Sequence, residues 1–229
     1  MAYNRICLMI PSYKRPEMLK TCIDSAIATA SDLKRLCFAI MLHTGDTSYD
    51  NFHFPTETIL LFEQETEPNL SLFYNRMYSE TCYDRQEHLV SMVGDDMAFQ
   101  TKNWDMKILD KANEIDGVGI IHCEDAFISH GSIPVNLFTS RKFVDAAGPT
   151  FMCPYYKADY IDTVWGEIAT TVDCNYFLSD VIIKHNHTTG KPQWDETFQR
   201  LQRVKKHSQK EYWEYVNRCV KNLYESGLI

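Results

Sequence analysis

Apolar runs alternate with helix-like segments along most of this chain. The first run, residues 6–10, stops at Pro11-Ser12, and apolar side chains then recur at helical spacing over residues 17–30. Further strands are predicted at residues 36–42, 58–62, 89–93, 117–121, 135–138 and 181–187. Further helices are predicted at residues 72–79, 104–112, 141–147 and 209–223, with another beginning at Asp159. Strands that alternate with helices predict βαβ units, so we expect an α/β fold with a mainly parallel sheet flanked by helices.

The strand at residues 89–93 is followed by two adjacent carboxylates, Asp95 and Asp96. Neighbouring carboxylates repel each other and are costly to desolvate, so such a pair persists where a cation lies between them or where solvent covers both. In α/β proteins, ligands bind at the carboxyl ends of strands, and Ser12 and Asp46 also follow predicted strands. The pattern favours a site for Mg²⁺ or Mn²⁺ along this edge. A surface turn that uses aspartate for its turn chemistry is the alternative.

Length and composition predict one catalytic domain with a helical appendage. The chain has 229 residues, 45% of them hydrophobic, which is enough to bury a substantial core. We place the domain at residues 1–198 and a helical extension, packed on it, at residues 199–229. No apolar run approaches the ~20 residues of a membrane span and the N-terminus does not resemble a signal peptide, so a soluble, cytoplasmic protein is expected. The eight cysteines form no CxxC pair, so we expect reduced thiols in or near the core.

Charge is unevenly distributed along the chain. The formal net charge of −8 argues against a surface that generally attracts nucleic acid or anionic lipid. Residues 200–210 differ, because they contain no acid and five basic side chains: Arg200, Arg203, Lys205, Lys206 and Lys210. This segment is either a solvated helix face or a local patch that contacts phosphate.

Two further pairs of polar residues are candidates for the same site. Asp159 and Asp162 lie three positions apart at the start of a predicted helix, so they share one face of its first turn. They either stabilise the helix N-terminus or provide a general base near the metal site. His185 and His187 end the last predicted strand and point to the same side if the strand continues that far. Either one of them is a further metal ligand or the pair is structural.

Taken in order, these motifs resemble those of GT-A glycosyltransferases over roughly residues 5–198. The motifs are Pro11-Ser12-Tyr13, an acid at the second strand end, Asn69 to Asn75-Arg76, Gly94-Asp95-Asp96-Met97, the helix start at Asp159 and His185-Asn186-His187. The chain is most similar to the family-2-like members, and above all to the compact versions found in bacteriophages. The resemblance implies a Rossmann-like GT-A sheet with a C-terminal helix. It also implies a nucleotide-sugar-dependent glycosyltransferase that uses Mn²⁺ or Mg²⁺.

The resemblance implies roles for individual residues around the nucleotide-sugar donor. The residues expected beside the donor are Pro11, Ser12, Arg15, Asp46, Asn75, Arg76 and Asp95. Among them, Asp46 would lie near the base, and Asn75 or Arg76 near the ribose or pyrophosphate. Asp95 would face the ribose or the sugar.

The metal and the catalytic base are implied in the same way. Asp96 would hold the ion, and Met97 stands where many members have a third acid, which favours a contribution from His185 or His187. Such an ion stabilises the diphosphate leaving group as the glycosidic bond breaks. The acceptor hydroxyl must lose its proton during attack, and the resemblance implies Asp159 as the base, with Asp162 as a nearby substitute. Both inversion and retention of configuration stay open.

The similarity to phage enzymes suggests a hydroxymethylated pyrimidine in phage DNA as the acceptor, in the host cytoplasm. The basic residues 200–210 would then bind the DNA backbone while the base is extruded. A polysaccharide, lipid or protein hydroxyl is the competing acceptor. A sugar-nucleotide pyrophosphorylase usually has a glycine-rich loop after the first strand, which residues 11–16 lack. A non-catalytic module that binds sugar or nucleic acid would show no metal-dependent binding of nucleotides.

Overall fold

The structure is a computed structural model that describes residues 2–64, 68–81, 88–127, 130–157, 161–186 and 209–229. Within these residues the chain forms eight strands and six α-helices. The strands are Arg5–Pro11 (β1), Leu36–His43 (β2), Thr58–Glu63 (β3), His88–Met92 (β4), Met97–Phe99 (β5), Ile120–Glu124 (β6), Leu137–Ser140 (β7) and Asn175–His185 (β8). The helices are Pro16–Thr29 (α1), Leu70–Thr81 (α2), Trp104–Glu114 (α3), Arg141–Ala147 (α4), Ile161–Thr171 (α5) and Gln209–Glu225 (α6).

The eight strands form one sheet in the order β3-β2-β1-β4-β7-β6-β8-β5. The first four strands in this order are parallel, and β6 is parallel to β8. β7 runs antiparallel to both of its neighbours, and β5 runs antiparallel to β8. The predicted α/β fold with a mainly parallel, helix-flanked sheet is therefore confirmed, with antiparallel strands added in its second half.

Apolar layers cover both faces of the sheet. Alternate side chains of β1 enter different layers: Ile6 and Leu8 pack with α1 and α3, whereas Cys7 and Met9 pack on the face of α2. α4, α5 and α6 cover that second face as well. Burial on both faces explains why β1 is a continuous apolar run rather than an alternating one.

The predicted boundaries of three strands were wrong, and one strand was not predicted. β7 begins at Leu137 rather than at residue 135. β8 begins at Asn175 rather than at residue 181, because residues 175–180 are all partly or fully exposed and contain only a short apolar run, residues 176–178. β6 begins at Ile120 rather than at residue 117, because Gly117 and Gly119 turn the chain with φ values of 69° and 125°. The unpredicted strand is β5, which has only three residues.

The C-terminal helix is confirmed as α6. Its buried residues Tyr215, Val216, Cys219 and Leu223 join the layer formed by α4 and α5. The proposed boundary at residue 198 lies outside the described residues, as does the predicted helix start at Asp159. The seven cysteines within the described residues are buried thiols, as expected. None of the helices in the described ranges is both long and apolar enough to cross a bilayer.

Candidate active site

The pairing of β1 with β4 brings Ser12 beside Asp95. Met9 is opposite Met92 in this parallel pair. Ser12 and Asp95 each follow three positions later, so they lie side by side just beyond the ends of the two strands. Ser12 Oγ donates a hydrogen bond of 2.6 Å to Asp95 Oδ2, and Arg15 Nη1 donates one of 3.2 Å to Oδ1. Both oxygens of this buried carboxylate are therefore fixed in place.

Tyr49, which the sequence analysis did not single out, completes this network. Its hydroxyl oxygen lies 2.6 Å from Ser12 Oγ and accepts a hydrogen bond of 3.1 Å from Arg15 N. Burial raises the pKa of Tyr49 to about 12, so the phenol stays protonated. Ser12 uses its hydroxyl hydrogen in the bond to Asp95, so in the contact between the two hydroxyl groups Tyr49 is the donor and Ser12 the acceptor. The chain of hydrogen bonds therefore runs in one direction, from Arg15 N through Tyr49 and Ser12 to the carboxylate. A single tyrosine in a turn is too common in sequences to have been recognised.

The second carboxylate, Asp96, faces His185. Antiparallel pairing of β5 with β8 sets Met97 opposite His185, and Asn186 N donates a hydrogen bond of 2.8 Å to Asp96 O. His185 Nε2 consequently lies 3.3 Å from Asp96 Oδ2. Gly94 leaves room for this carboxylate, because a Cβ there would lie 2.6 Å from Asp96 Oδ1. Carboxylate oxygen and imidazole nitrogen both bind Mn²⁺, so these two side chains fit a divalent ion.

Negative charge is concentrated at this point of the sheet. Burial raises the pKa of Asp95 to about 6 and the charge of Asp96 acts in the same direction, although Arg15 opposes both. Burial lowers the pKa of His185, but the hydrogen bond and charge of Asp96 outweigh it, so the pKa is raised overall. A cation bound here would relieve the repulsion between the two carboxylates.

Asp162 lies in the first turn of α5, close to the carboxylate pair. Its charge contributes to the raised pKa values of both His185 and Tyr74, which places it within electrostatic range of the site. Asp162 Oδ1 accepts a hydrogen bond of 2.7 Å from Thr163 N. Asp159 lies outside the described residues, so the structure positions only one of the two candidate bases.

A cleft opens over the carboxyl ends of β1, β2 and β3, on the face that carries α2. Tyr74 of α2 donates a hydrogen bond of 3.1 Å to Val93 O, which ties the helix to the strand end before the acid pair. The residues that line the cleft are Pro11, Ser12, Tyr13, Arg15, Met41, Leu42, His43, Glu63, Pro68, Leu70, Phe73, Tyr74, Gly94, Asp95 and Asp96. Apolar walls with a few converging polar groups are typical of a small-molecule site.

Asp46, which was expected near the base, does not line this cleft. Its Oδ2 accepts a hydrogen bond of 2.7 Å from Lys14 N, and its Oδ1 accepts one of 3.0 Å from Ser48 N. The carboxylate therefore organises two backbone turns. Turn chemistry accounts for the bonds of this aspartate, and its expected position beside the base stays a prediction.

Asn75 and Arg76 are also absent from the lining of the cleft. Asn75 exchanges two hydrogen bonds with the backbone of Met152, of 2.6 Å and 3.1 Å. Arg76 binds Glu80 one turn further along α2 and donates to Phe62 O at 3.0 Å. Both side chains hold neighbouring segments in place, and the expectation that they contact ribose or pyrophosphate stays a prediction.

No protein-family model and no curated protein matches the sequence. Solved structures do match the fold. The mannosyltransferase PcManGT from Pyrobaculum calidifontis, in complex with GDP-Man and Mn²⁺, has a TM-score of 0.64 at 10% identity, with 96% of this chain and 73% of that chain covered. S. aureus TarS gives a TM-score of 0.59 at 9% identity, with 78% and 36% covered. TarS 1–349 gives 0.54 at 12% identity, with 78% and 59% covered. This chain has the GT-A fold.

Within this GT-A fold, a second group of possible ligands follows β6. Glu124, Asp125 and His130 bring ligand atoms within 4.8 Å of one another, and Glu124 Oε1 lies 3.2 Å from His130 Nδ1. Asp125 links the group to the first site, because its backbone oxygen accepts a hydrogen bond of 3.0 Å from His185 N. The sequence analysis missed these acids because it ended this strand at residue 121. Two acids directly after a strand are the same signal that identified the first pair.

Several other predicted site residues of this GT-A chain lie outside the described residues. They are His187 and the basic residues Arg200, Arg203, Lys205 and Lys206, while Lys210 falls within α6. Their expected roles in metal or DNA binding stay predictions.

Proposed function

We propose that this chain is a metal-dependent glycosyltransferase that moves a sugar from a nucleotide-diphosphate sugar to a hydroxyl acceptor. The observation that carries this proposal is the Asp96–His185 pair beside the buried, doubly held Asp95, at a cleft over the strand ends of a GT-A fold. A mannosyltransferase with the same fold binds GDP-Man and Mn²⁺, which supports a sugar nucleotide and a divalent ion as ligands.

Asp96 and His185 would hold Mn²⁺ or Mg²⁺, with His187 as a further candidate ligand. Such an ion supplies positive charge that stabilises the diphosphate leaving group. The negative charge at this strand end favours binding of a cation. The imidazole of His185 should give the site a higher affinity for Mn²⁺ than for Mg²⁺.

Asp95 would orient the ribose or the sugar of the donor. Ser12 and Arg15 hold its two oxygens, so the carboxylate presents its remaining lone pairs in a fixed direction. Pro11 lines the cleft beside them. A carboxylate that is already oriented loses little entropy when the donor binds.

Asp159 or Asp162 would accept the proton of the attacking hydroxyl. The proximity of Asp162 to His185 supports it as a base on the acceptor side of the metal site. Replacing Asp159 and Asp162 by asparagine, one at a time, would show which of them is the base. The base variant should lose turnover and keep its affinity for the nucleotide.

For the acceptor, our first choice to test is a hydroxymethylated pyrimidine in phage DNA. The support is the resemblance to phage enzymes and the five basic residues between positions 200 and 210. Sugar transfer should be measured on DNA with and without 5-hydroxymethyl groups. Transfer to neither DNA, together with transfer to a polysaccharide, lipid or protein hydroxyl, would replace this acceptor and leave the donor chemistry standing.

The decisive test of the donor site is calorimetric binding of nucleoside diphosphates with and without Mn²⁺. The native chain should bind at least one nucleotide only with the metal, and Asp96→Ala should weaken that binding by roughly 100-fold or more, as expected for loss of a metal ligand. Asp110→Ala, which changes an exposed aspartate of α3, is the matched control. A folded protein that binds no nucleotide would instead favour a non-catalytic binding module.

A further inference from the structure

Two polar side chains stand next to each other in the cleft at the ends of β2 and β3. His43 and Glu63 are direct partners in this parallel pair, and both line the cleft. Strand alternation puts them on the same face as Met41 and Leu61, which are core residues. Glu63 is only 6% exposed, which is unusual because a glutamate is rarely buried unless its carboxylate has a binding partner.

The chemistry of the two side chains defines what each can offer to a ligand. His43 Nδ1 accepts a hydrogen bond of 3.1 Å from Gly45 N, so the neutral imidazole carries its proton on Nε2 and offers a donor. Thr44 fixes the end of β3, because its N and its Oγ1 each lie 2.9 Å from Glu63 O. The Glu63 carboxylate offers acceptors only. The cleft therefore presents a donor directly beside an acceptor pair.

This order of groups is complementary to one nucleobase edge. Guanine presents an acceptor, O6, next to two donors, N1–H and N2–H₂, and a carboxylate can accept from both donors at once. Uracil has one N–H between two carbonyl oxygens, which a carboxylate would repel. Adenine and cytosine each place a ring acceptor beside a single amino group. The ring of Tyr13 also lines the cleft, in edge contact with His43 at 5.7 Å, and offers a surface on which a base can stack.

We propose that His43 and Glu63 select guanine, so that the donor is a guanosine-diphosphate sugar. Glu63 accepts from N1–H and N2–H₂, and His43 Nε2 donates to O6. The inference rests on the proposed function, because a base reaches these residues only if its diphosphate lies at Asp95 and Asp96 in the same cleft.

The test is calorimetric binding of GDP, UDP, CDP, ADP and inosine diphosphate to the full chain in the presence of Mn²⁺. Inosine diphosphate lacks only the N2 amino group. GDP should bind at least about tenfold more tightly than each of the others, as expected for a charge-assisted hydrogen bond. Glu63→Gln should weaken GDP binding by about tenfold or more and remove the difference between GDP and inosine diphosphate. Glu57→Gln, which changes an exposed glutamate just before β3, should leave both affinities unchanged.

The binding experiment distinguishes failure of the guanine selection from failure of the proposed function. Metal-dependent binding with UDP preferred, or with GDP and inosine diphosphate equal, would overturn the selection of guanine and leave the donor site intact. Binding of no nucleotide by the folded chain would overturn the proposed function as well. If Glu63→Gln does not fold, the comparison of GDP with inosine diphosphate on the native chain still decides.

Discussion

The orientation of Asp95 depends on side chains that come from two loops. Ser12 and Arg15 hold the carboxylate directly, and Tyr49 acts on it through Ser12. Tyr49 itself does not line the cleft within the described residues. In the proposed donor site, Tyr49 is therefore a positioning residue, which acts on Asp95 without lining the cleft.

Replacing Tyr49 by phenylalanine should weaken both folding and nucleotide binding. The change removes the donor to Ser12 and the acceptor for Arg15 N, so the free energy of unfolding should fall by about 1–2 kcal/mol. Metal-dependent nucleotide affinity should fall severalfold, as measured by calorimetry, because Asp95 is less well fixed. Tyr224→Phe, on the exposed side of α6, is the control. A loss of stability with unchanged nucleotide affinity would make Tyr49 a purely structural residue.

His122 should make the fold sensitive to mild acid. Burial lowers its pKa to about 4, whereas the unfolded chain has a value of about 6.5. The folded state therefore binds the proton less readily. The stabilisation is complete above about pH 6.5 and is lost as the pH falls towards about 4, with about 2 kcal/mol lost by pH 5.

Urea denaturation at pH 7 and pH 5 would measure this loss. His122→Gln should lose less stability between the two pH values than the native chain, whereas His53→Gln, at an exposed position, should behave like the native chain. Equal acid sensitivity in the two variants would assign the effect to other groups.

At the scale of elements, a three-residue strand delivers one side of the candidate metal site. β5 pairs with β8 and thereby brings His185 to Asp96. The flanking bonds, from Asn186 N to Asp96 O and from Gln100 N to Ile182 O, place Ala98 at a hydrogen-bonded position of the pair. The distance between the two ligands is thus set by backbone pairing.

Ala98→Pro should disturb the metal site without changing either ligand. Proline removes the backbone N–H and disrupts the pairing of β5 with β8. The Mn²⁺ affinity, measured by titration calorimetry, should fall by about tenfold or more, the effect expected for loss of groups that orient a ligand. Ala98→Ser keeps the N–H and should retain the affinity. Unchanged Mn²⁺ binding in a folded Ala98→Pro chain would show that His185 is not a ligand.

At the scale of the whole molecule, α6 closes the core on one face of the sheet. Leu223 is fully buried, and it belongs to the same apolar layer as residues of β1, α2 and α5. Since this layer is continuous, the C-terminal helix and the sheet should unfold together.

Leu223→Ala should lower the free energy of unfolding by about 2–5 kcal/mol in a single transition, because it opens a cavity in this shared layer. Circular dichroism and tryptophan fluorescence should give the same midpoint in urea. Tyr224→Ala, one residue further and exposed, should cost far less. Two separate transitions would show that α6 is an independent unit.

The sequence predicted the strand and helix order because buried strands and amphipathic helices have distinct periods. It singled out Asp95, Asp96 and His185, which the structure brings together, because polar residues after apolar runs are conspicuous. Their roles at a donor or metal stay predictions. Tyr49 and Glu63 escaped, since their roles come from partners that are distant in the chain. Asp46, Asn75 and Arg76 show the converse, because each of their side chains bonds to backbone groups, while their expected contacts with the donor stay predictions. A polar side chain can bind backbone as readily as it binds a ligand, and sequence order does not distinguish the two.

The buried thiols give the chain an intrinsic reporter of its own opening. The seven described cysteines are thiols buried in the two apolar layers, and Cys7 lies opposite Cys37 in the pairing of β1 with β2. A maleimide reaches such sulfurs only in molecules that have opened, so its rate of reaction measures the open population. A nucleotide that binds only the folded chain slows that reaction, and the logarithm of the rate falls in proportion to the stability that the nucleotide adds. Candidate donors can therefore be ranked by mass spectrometry before any acceptor has been found.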